Sequence, residues 1–174
     1  AERLSRLTQD LLDLSRIESG QWTFEPAPVE LAPLARQVLE LFGTAARGKG
    51  IALRTEIPAG ATVRADARAL EQVLVNLVDN AVKYTAAGSV TLAASRDDDR
   101  WVVSVADTGP GIERHHLPRL FERFYRVDSG RSRDQGGTGL GLAIVKHLVQ
   151  GMGGEVGVES GAGGTRFWTR LPAA

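Results

Sequence analysis

Leucine recurs at alternating steps of three and four residues at the start of the chain, at Leu4, Leu7, Leu11 and Leu14, with Leu12 and Ile17 widening the stripe. This period predicts a helix over residues 2–19, ended by Gly20. So short a seam suits equally an amphipathic helix packed on its own domain and a dimerisation helix. Beyond it, Trp22-Thr-Phe-Glu-Pro26 reads as a short strand. Residues 30–47 read as a helix with Leu31, Leu34, Val38, Leu41 and Phe42 turned inward. Alternation predicts strands at 51–57 and 62–65. Asp66 is placed to N-cap a long helix through Leu70, Val73, Leu74, Leu77, Val78 and Ala81 to Tyr84. Strands follow at 89–95 and 101–107, joined by the charged turn Arg96-Asp-Asp-Asp-Arg100. A polar, glycine-rich loop follows at 127–138, read as mobile, then a helix at 140–152 and strands at 155–159 and 165–171. The sum is α/β: a two-layer sandwich, helices on one face of a mixed, mostly antiparallel sheet, preceded by one amphipathic helix.

Composition narrows the function. The 174 residues hold 21 Lys+Arg against 21 Asp+Glu, so the basic surplus that nucleic-acid binding requires is missing. Cysteine is absent, which excludes disulfides, thiolate metal sites and a cysteine nucleophile. No apolar run approaches the roughly 18 residues that span a bilayer, and the reading is a soluble piece.

Three blocks carry candidate chemistry. Asn76, Asn80 and Lys83 form a polar stripe at i, i+4 and i+7 on the long helix, beside its apolar stripe. With Val75, Val78 and Val82 around it, the stripe reads as lining a cleft, although solvated helix polars would give the same pattern. Asn oxygens are hard neutral ligands for Mg²⁺, and Lys83 can neutralise phosphate. In Asp107-Thr-Gly109-Pro-Gly111, a carboxylate ends a strand beside two glycines. It could accept a hydrogen bond from the amine of adenine, or the block could be a plain turn. Gly137-Thr-Gly-Leu-Gly141 opens onto an apolar helix whose free N–H groups suit phosphate. The turn Gly161-Ala-Gly-Gly-Thr165 reads as structural. Gly43-Thr-Ala-Ala-Arg-Gly48-Lys49 imitates a P-loop, but Gly50 stands where Ser or Thr must hold Mg²⁺, and the segment follows a helix. It reads as a helix C-cap.

In order and spacing, these blocks and Phe121-Glu-Arg-Phe124-Tyr125-Arg126 resemble the N, F and glycine boxes of the catalytic ATP-binding domain of bacterial sensor histidine kinases. That domain belongs to the wider gyrase, chaperone, kinase and mismatch-repair ATPase superfamily and has a Bergerat-type fold. Residues 1–20 resemble the second helix of the dimerisation and phosphoacceptor hairpin, which leaves residues 21–174 as the ATP-binding domain.

The resemblance implies ATP and Mg²⁺ as cofactors, with Asn80 the metal ligand and Asn76 beside it. Lys83 would contact phosphate, Tyr84 lie along the adenine and Asp107 bond its amine. Gly109, Gly111 and Ile112 would shape the base pocket, with Thr165 beside it. Gly137, Thr138, Gly139, Leu140, Gly141 and Leu142 would form the lid anchor and phosphate loop. Arg126 would reach the γ-phosphate, assisted by Arg131 or Arg133, while Phe121 and Phe124 pack the base of the lid. Hydrolysing superfamily members carry a Glu general base four residues before the metal Asn, where this chain has Asn76. An amide cannot take a proton from water, so transfer to another nucleophile is implied, with Asn76 and Arg126 as catalytic residues. His115, His116 and His147 lack the acceptor context and read as surface or packing histidines. Implied partners are therefore a phosphoacceptor helix outside this chain and a cognate response regulator, with no nucleic acid. The parent would be a homodimeric, membrane-anchored sensor with this part in the cytoplasm. The alternatives are a nucleotide-binding regulatory module without transfer activity and an anti-sigma-factor serine kinase.

Overall fold

The computed structural model describes residues 1–127 and 137–174. Its elements run α1 (Glu2–Glu18), β1 (Ala27–Glu30), α2 (Leu31–Leu41), α3 (Gly43–Lys49), β2 (Ile51–Glu56), β3 (Thr62–Ala65), α4 (Ala67–Tyr84), β4 (Gly88–Asp97) and β5 (Arg100–Asp107). A 3₁₀ turn (Arg114–Arg119) precedes α5 (Gly141–Gly151), β6 (Glu155–Gly161) and β7 (Gly164–Pro172). The main sheet is ordered β2-β4-β5-β7-β6, and β1 pairs with β3 in a separate ribbon. Among the described residues only the β2–β4 pairing is parallel, so the sheet is mixed and mostly antiparallel, as expected from the sequence.

Every second residue of the central strands turns inward. Val90, Leu92, Val103, Val105, Phe167 and Leu171 are buried against Leu70, Leu74 and Leu77 of α4 and Ile144 and Leu148 of α5. The helices α2, α4 and α5 thus form the second layer on that face.

The long helix α4 carries the polar stripe, and both of its ends are tied. Asp66 caps its start, Oδ1 accepting from Ala69 N at 2.9 Å while Oδ2 accepts from Glu25 N at 2.9 Å. At the other end Lys49 Nζ donates to Val82 O at 2.6 Å and Lys83 O at 2.9 Å, on the last turn where carbonyls lack helical partners. Asp66→Ala would leave two N–H groups without their acceptor, that of Ala69 in a buried position and that of Glu25 in a part-buried one. We expect a loss of about 2–3 kcal/mol in chemical denaturation; an unchanged midpoint would show that the cap is dispensable.

Three expectations need correction. Trp22 to Pro26 is not a strand: Glu25 N is spent on Asp66, Pro26 has no N–H, and Phe24 lies where a Gly151 side chain would go. Strand pairing begins only at Ala27, opposite Ala65. The helix expected over 30–47 breaks at Phe42, whose ψ of 3° leaves the helical region, and restarts at Gly43. The P-loop imitation is itself the short helix α3, with Gly50 in the left-handed conformation as its cap. Strands β4 and β5 also run further than the alternation suggested. They leave Asp98-Asp99 as the turn, with Asp98 at φ 52°.

Helix α1 divides its apolar residues between the core and the surface. Leu14 is buried and Leu7 and Ile17 pack on the core, whereas Leu4 is 69% exposed and Leu11 and Leu12 face outward. Among the described residues, no helix is long and apolar enough to cross a membrane. The loop expected to be mobile, with Arg131 and Arg133, falls almost wholly outside the described residues.

Candidate functional site

The C-terminal half of α4, the end of β5, residues 120–127, the glycine loop and the start of β7 enclose a cleft of about 540 Å³. Asn76, Asn80, Lys83 and Tyr84 line it from α4, and Asp107, Gly111 and Ile112 from the β5 end. Arg126, Gly137, Thr138, Gly139, Gly141, Leu142 and Thr165 of the expected residues line it as well. Helix periodicity and strand ends have therefore brought together side chains up to ninety positions apart in the chain.

At one end stands Asp107. Its Oδ1 accepts from Gly109 N at 2.9 Å and Thr165 N at 3.3 Å. Both bonds use one oxygen, which leaves Oδ2 for a ligand. Burial pushes this carboxyl above the usual carboxylate range, and the two N–H groups only partly offset it. Gly111 has φ 78°, and a side chain there would strike Gly161 O, so this wall of the cleft packs directly on the β6–β7 turn.

The other end is polar. Lys83 pairs with Asp79 at 2.8 Å on the same helix. Asn76 Nδ2 donates to Gly141 O at 3.2 Å, linking α4 to the glycine loop and leaving its oxygen as an acceptor. Gly139, at φ 76°, has no room for a side chain against the Phe124 backbone, and its carbonyl accepts from Phe124 N at 2.9 Å. The aromatic segment and the glycine loop are thereby clasped together.

Some expected residues do not reach the cleft surface. Leu140 is fully buried, because it begins α5 and its side chain falls into the core. Phe121 packs edge-on against Phe167, centroids 6.1 Å apart, and Phe167 meets the cleft instead. Gly109 lies behind Asp107. Phe124 has φ 62° and is 57% exposed, and the lid base that it was expected to pack lies outside the described residues. The sequence reading also missed residues. Asp79, Tyr125 and Phe167 line the cleft, and so do Arg6 and Asp10 of α1. Asp79 lies inside the Asn76–Asn80 block and could have been found there; nothing local marks Arg6 or Asp10.

The histidines keep structural roles. His116 Nδ1 and the Tyr125 hydroxyl are 2.5 Å apart, and the Arg119 guanidinium lies 4.4 Å over the Tyr125 ring. Burial, then Arg123 and Lys146, push the His147 imidazole down, so it is a neutral neighbour of Glu18. Glu113 and His115, both exposed, and the partly buried His116 form a cluster of potential ligands outside the cleft.

This fold and cleft define a class. The sequence profile of the histidine kinase-, DNA gyrase B- and HSP90-like ATPases matches residues 65–174, and the chain belongs to that family. Its relatives place it more narrowly. It is 40% identical over 98% of its length to the circadian input-output histidine kinase CikA of Synechococcus elongatus, covering 23% of that protein. Among solved structures it superposes on full-length ShkA in complex with AMPPNP, with TM-score 0.87, 41% identity, and 98% of this chain and 36% of that one covered. On the catalytic domain of the histidine kinase ThkA, the TM-score is 0.76 at 29% identity, over 85% of this chain and 95% of that one. The chain is a histidine kinase-type ATPase domain, and it spans less than two fifths of the length of curated relatives such as CikA and BaeS of Escherichia coli.

Proposed function

We propose that the chain binds Mg-ATP and transfers the γ-phosphoryl to a histidine it does not itself carry, as the catalytic part of a two-component sensor kinase. The observation that carries this reading is Asn76. It occupies the position of the hydrolytic Glu, lines the cleft and has its amide nitrogen on Gly141 O. An amide at this position cannot take a proton from water, which favours an external nucleophile. The acceptor imidazole nitrogen would form the new bond to phosphorus, and the β–γ bridging oxygen would leave with ADP. Arg126 and Lys83 would stabilise charge on the transferring group.

The base end fits adenine, since Asp107 Oδ2 offers an acceptor to its amine. The polar end fits Mg²⁺. Asn80 and the Asn76 oxygen are neutral hard donors of the kind that complete a shell made mostly of phosphate oxygens and water. When bound, the ion would neutralise phosphate charge. Residues 1–20 would be the second helix of the dimerisation hairpin and residues 21–174 the ATP-binding domain. The parent would be a homodimeric, membrane-anchored sensor acting on a cognate response regulator.

With γ-labelled ATP the chain alone should stay unlabelled, and addition of the acceptor hairpin from its parent should label the hairpin. An unlabelled pair in which calorimetry still detects bound ATP would replace this reading with a regulatory nucleotide-binding module.

A further inference from the structure

Helix α1 reaches the polar end of the cleft. Arg6 and Asp10, one turn apart, both line it, and Asp10 Oδ2 accepts the Thr138 hydroxyl at 2.7 Å. The same hydroxyl oxygen accepts from Leu140 N at 3.2 Å, at the start of α5. A single carboxylate of α1 is thus bonded to the side chain that shapes the turn of the glycine loop. Lower down, α1 is held by buried Leu14 and by the pairing of Glu18 with Arg123. Asp10 is half-buried, and burial pushes its carboxyl up; the Thr138 bond, Arg6 and Lys83 oppose that push, and Asp13 adds to it.

If phosphates lie between Lys83 and the glycine loop, as the ATP reading requires, this carboxylate faces them. Its Coulomb repulsion falls with distance. The terminal phosphate of a triphosphate would feel it most, a diphosphate less, and a nucleoside least. Lys83, paired with Asp79, and Arg6 attract the same phosphates, so the contribution of Asp10 is read by removing its charge alone against that cationic background.

We propose that Asp10 is a specificity-determining residue contributed by α1: clasped to Thr138, it shapes the glycine loop and weights the cleft against the triphosphate relative to the diphosphate. The inference rests on the cleft being an ATP site. Coupling is reciprocal, so whatever factor docked α1 takes from triphosphate affinity, bound triphosphate takes from the docked position of α1. The site would then report where α1 lies.

The test is calorimetric titration of the full chain with ATP, ADP and adenosine, comparing wild type with Asp10→Asn and Thr138→Val. Asparagine keeps an oxygen for the Thr138 hydroxyl and removes the charge. ATP should tighten roughly three- to tenfold, ADP less, and adenosine not at all. Thr138→Val, which breaks the clasp and lets α1 move off, should shift the ATP-to-ADP affinity ratio in the same direction. An unchanged ratio in Asp10→Asn, weaker ATP binding, or equal tightening of adenosine would each overturn the proposal while leaving the ATP site standing. Wild-type chain that binds neither nucleotide would overturn the ATP site as well.

Discussion

Asn80→Ala should abolish the Mg²⁺-dependent part of ATP affinity, on the order of 100-fold, while leaving the fold intact. Asn80 is half-buried on α4 and lines the cleft one turn from Asn76. Under the proposed function its amide oxygen would be a ligand that alanine cannot replace. The helix itself should not suffer, because Ala is the better helix former and neither the Asp66 cap nor the Lys49 cap uses the Asn80 side chain. ATP titrations with Mg²⁺ and with chelator should therefore differ strongly in the wild type and converge in the variant. A variant that keeps the wild-type response to Mg²⁺ would move the metal to other residues.

Asp107→Asn should weaken ATP by about 100-fold and narrow the gap between ATP and GTP. Asparagine can keep an oxygen on Gly109 N and Thr165 N, so the local turn survives. What changes is the second position, where an acceptor becomes an NH₂ donor. A donor there opposes the amine of adenine and matches the oxygen of guanine. Retained ATP affinity and selectivity would remove Asp107 from base recognition. The raised pKa of Asp107 adds a pH dependence. As pH falls through that raised value, the acceptor is protonated, so base preference should fade at milder acidity than an ordinary carboxylate would give. Stability runs the other way. A folded-state carboxyl held above its unfolded value favours folding below the ordinary pKa, and that contribution is lost as pH rises through the raised one. ATP/GTP competition and denaturation measured across mildly acidic pH would show the two opposite slopes.

Much of this was legible in the sequence, for identifiable reasons. Helix α4 announces itself by apolar periodicity behind an Asp cap, and that period also puts Asn76, Asn80 and Lys83 on one stripe. Strands β4, β5 and β7 alternate visibly because one face of the sheet is buried. Local pattern failed where tertiary partners decided. Trp22 to Pro26 has strand-like residues, but Asp66, forty-one positions away from Glu25, takes its hydrogen bond. Leu140 sits in a glycine motif and looks like part of a phosphate loop, yet the core claims it. Asp10 and Arg6 belong to a leucine-seam helix, and only the docking of α1 beside α5 and the glycine loop shows that they border the cleft.

Lys49 has a practical consequence for mutagenesis. It stands where a phosphate-binding lysine would stand in the P-loop imitation, but its ammonium neutralises the carbonyl end of α4, at the carbonyls of Val82 and of Lys83 itself. Replacing it would fray the helix turn that presents Lys83 and Tyr84, and nucleotide affinity would drop. A lysine scan would thus yield a phenocopy of a lost phosphate ligand. Thermal melting of the nucleotide-free variant exposes the impostor, because a loosened helix end lowers the melting temperature before any nucleotide is added.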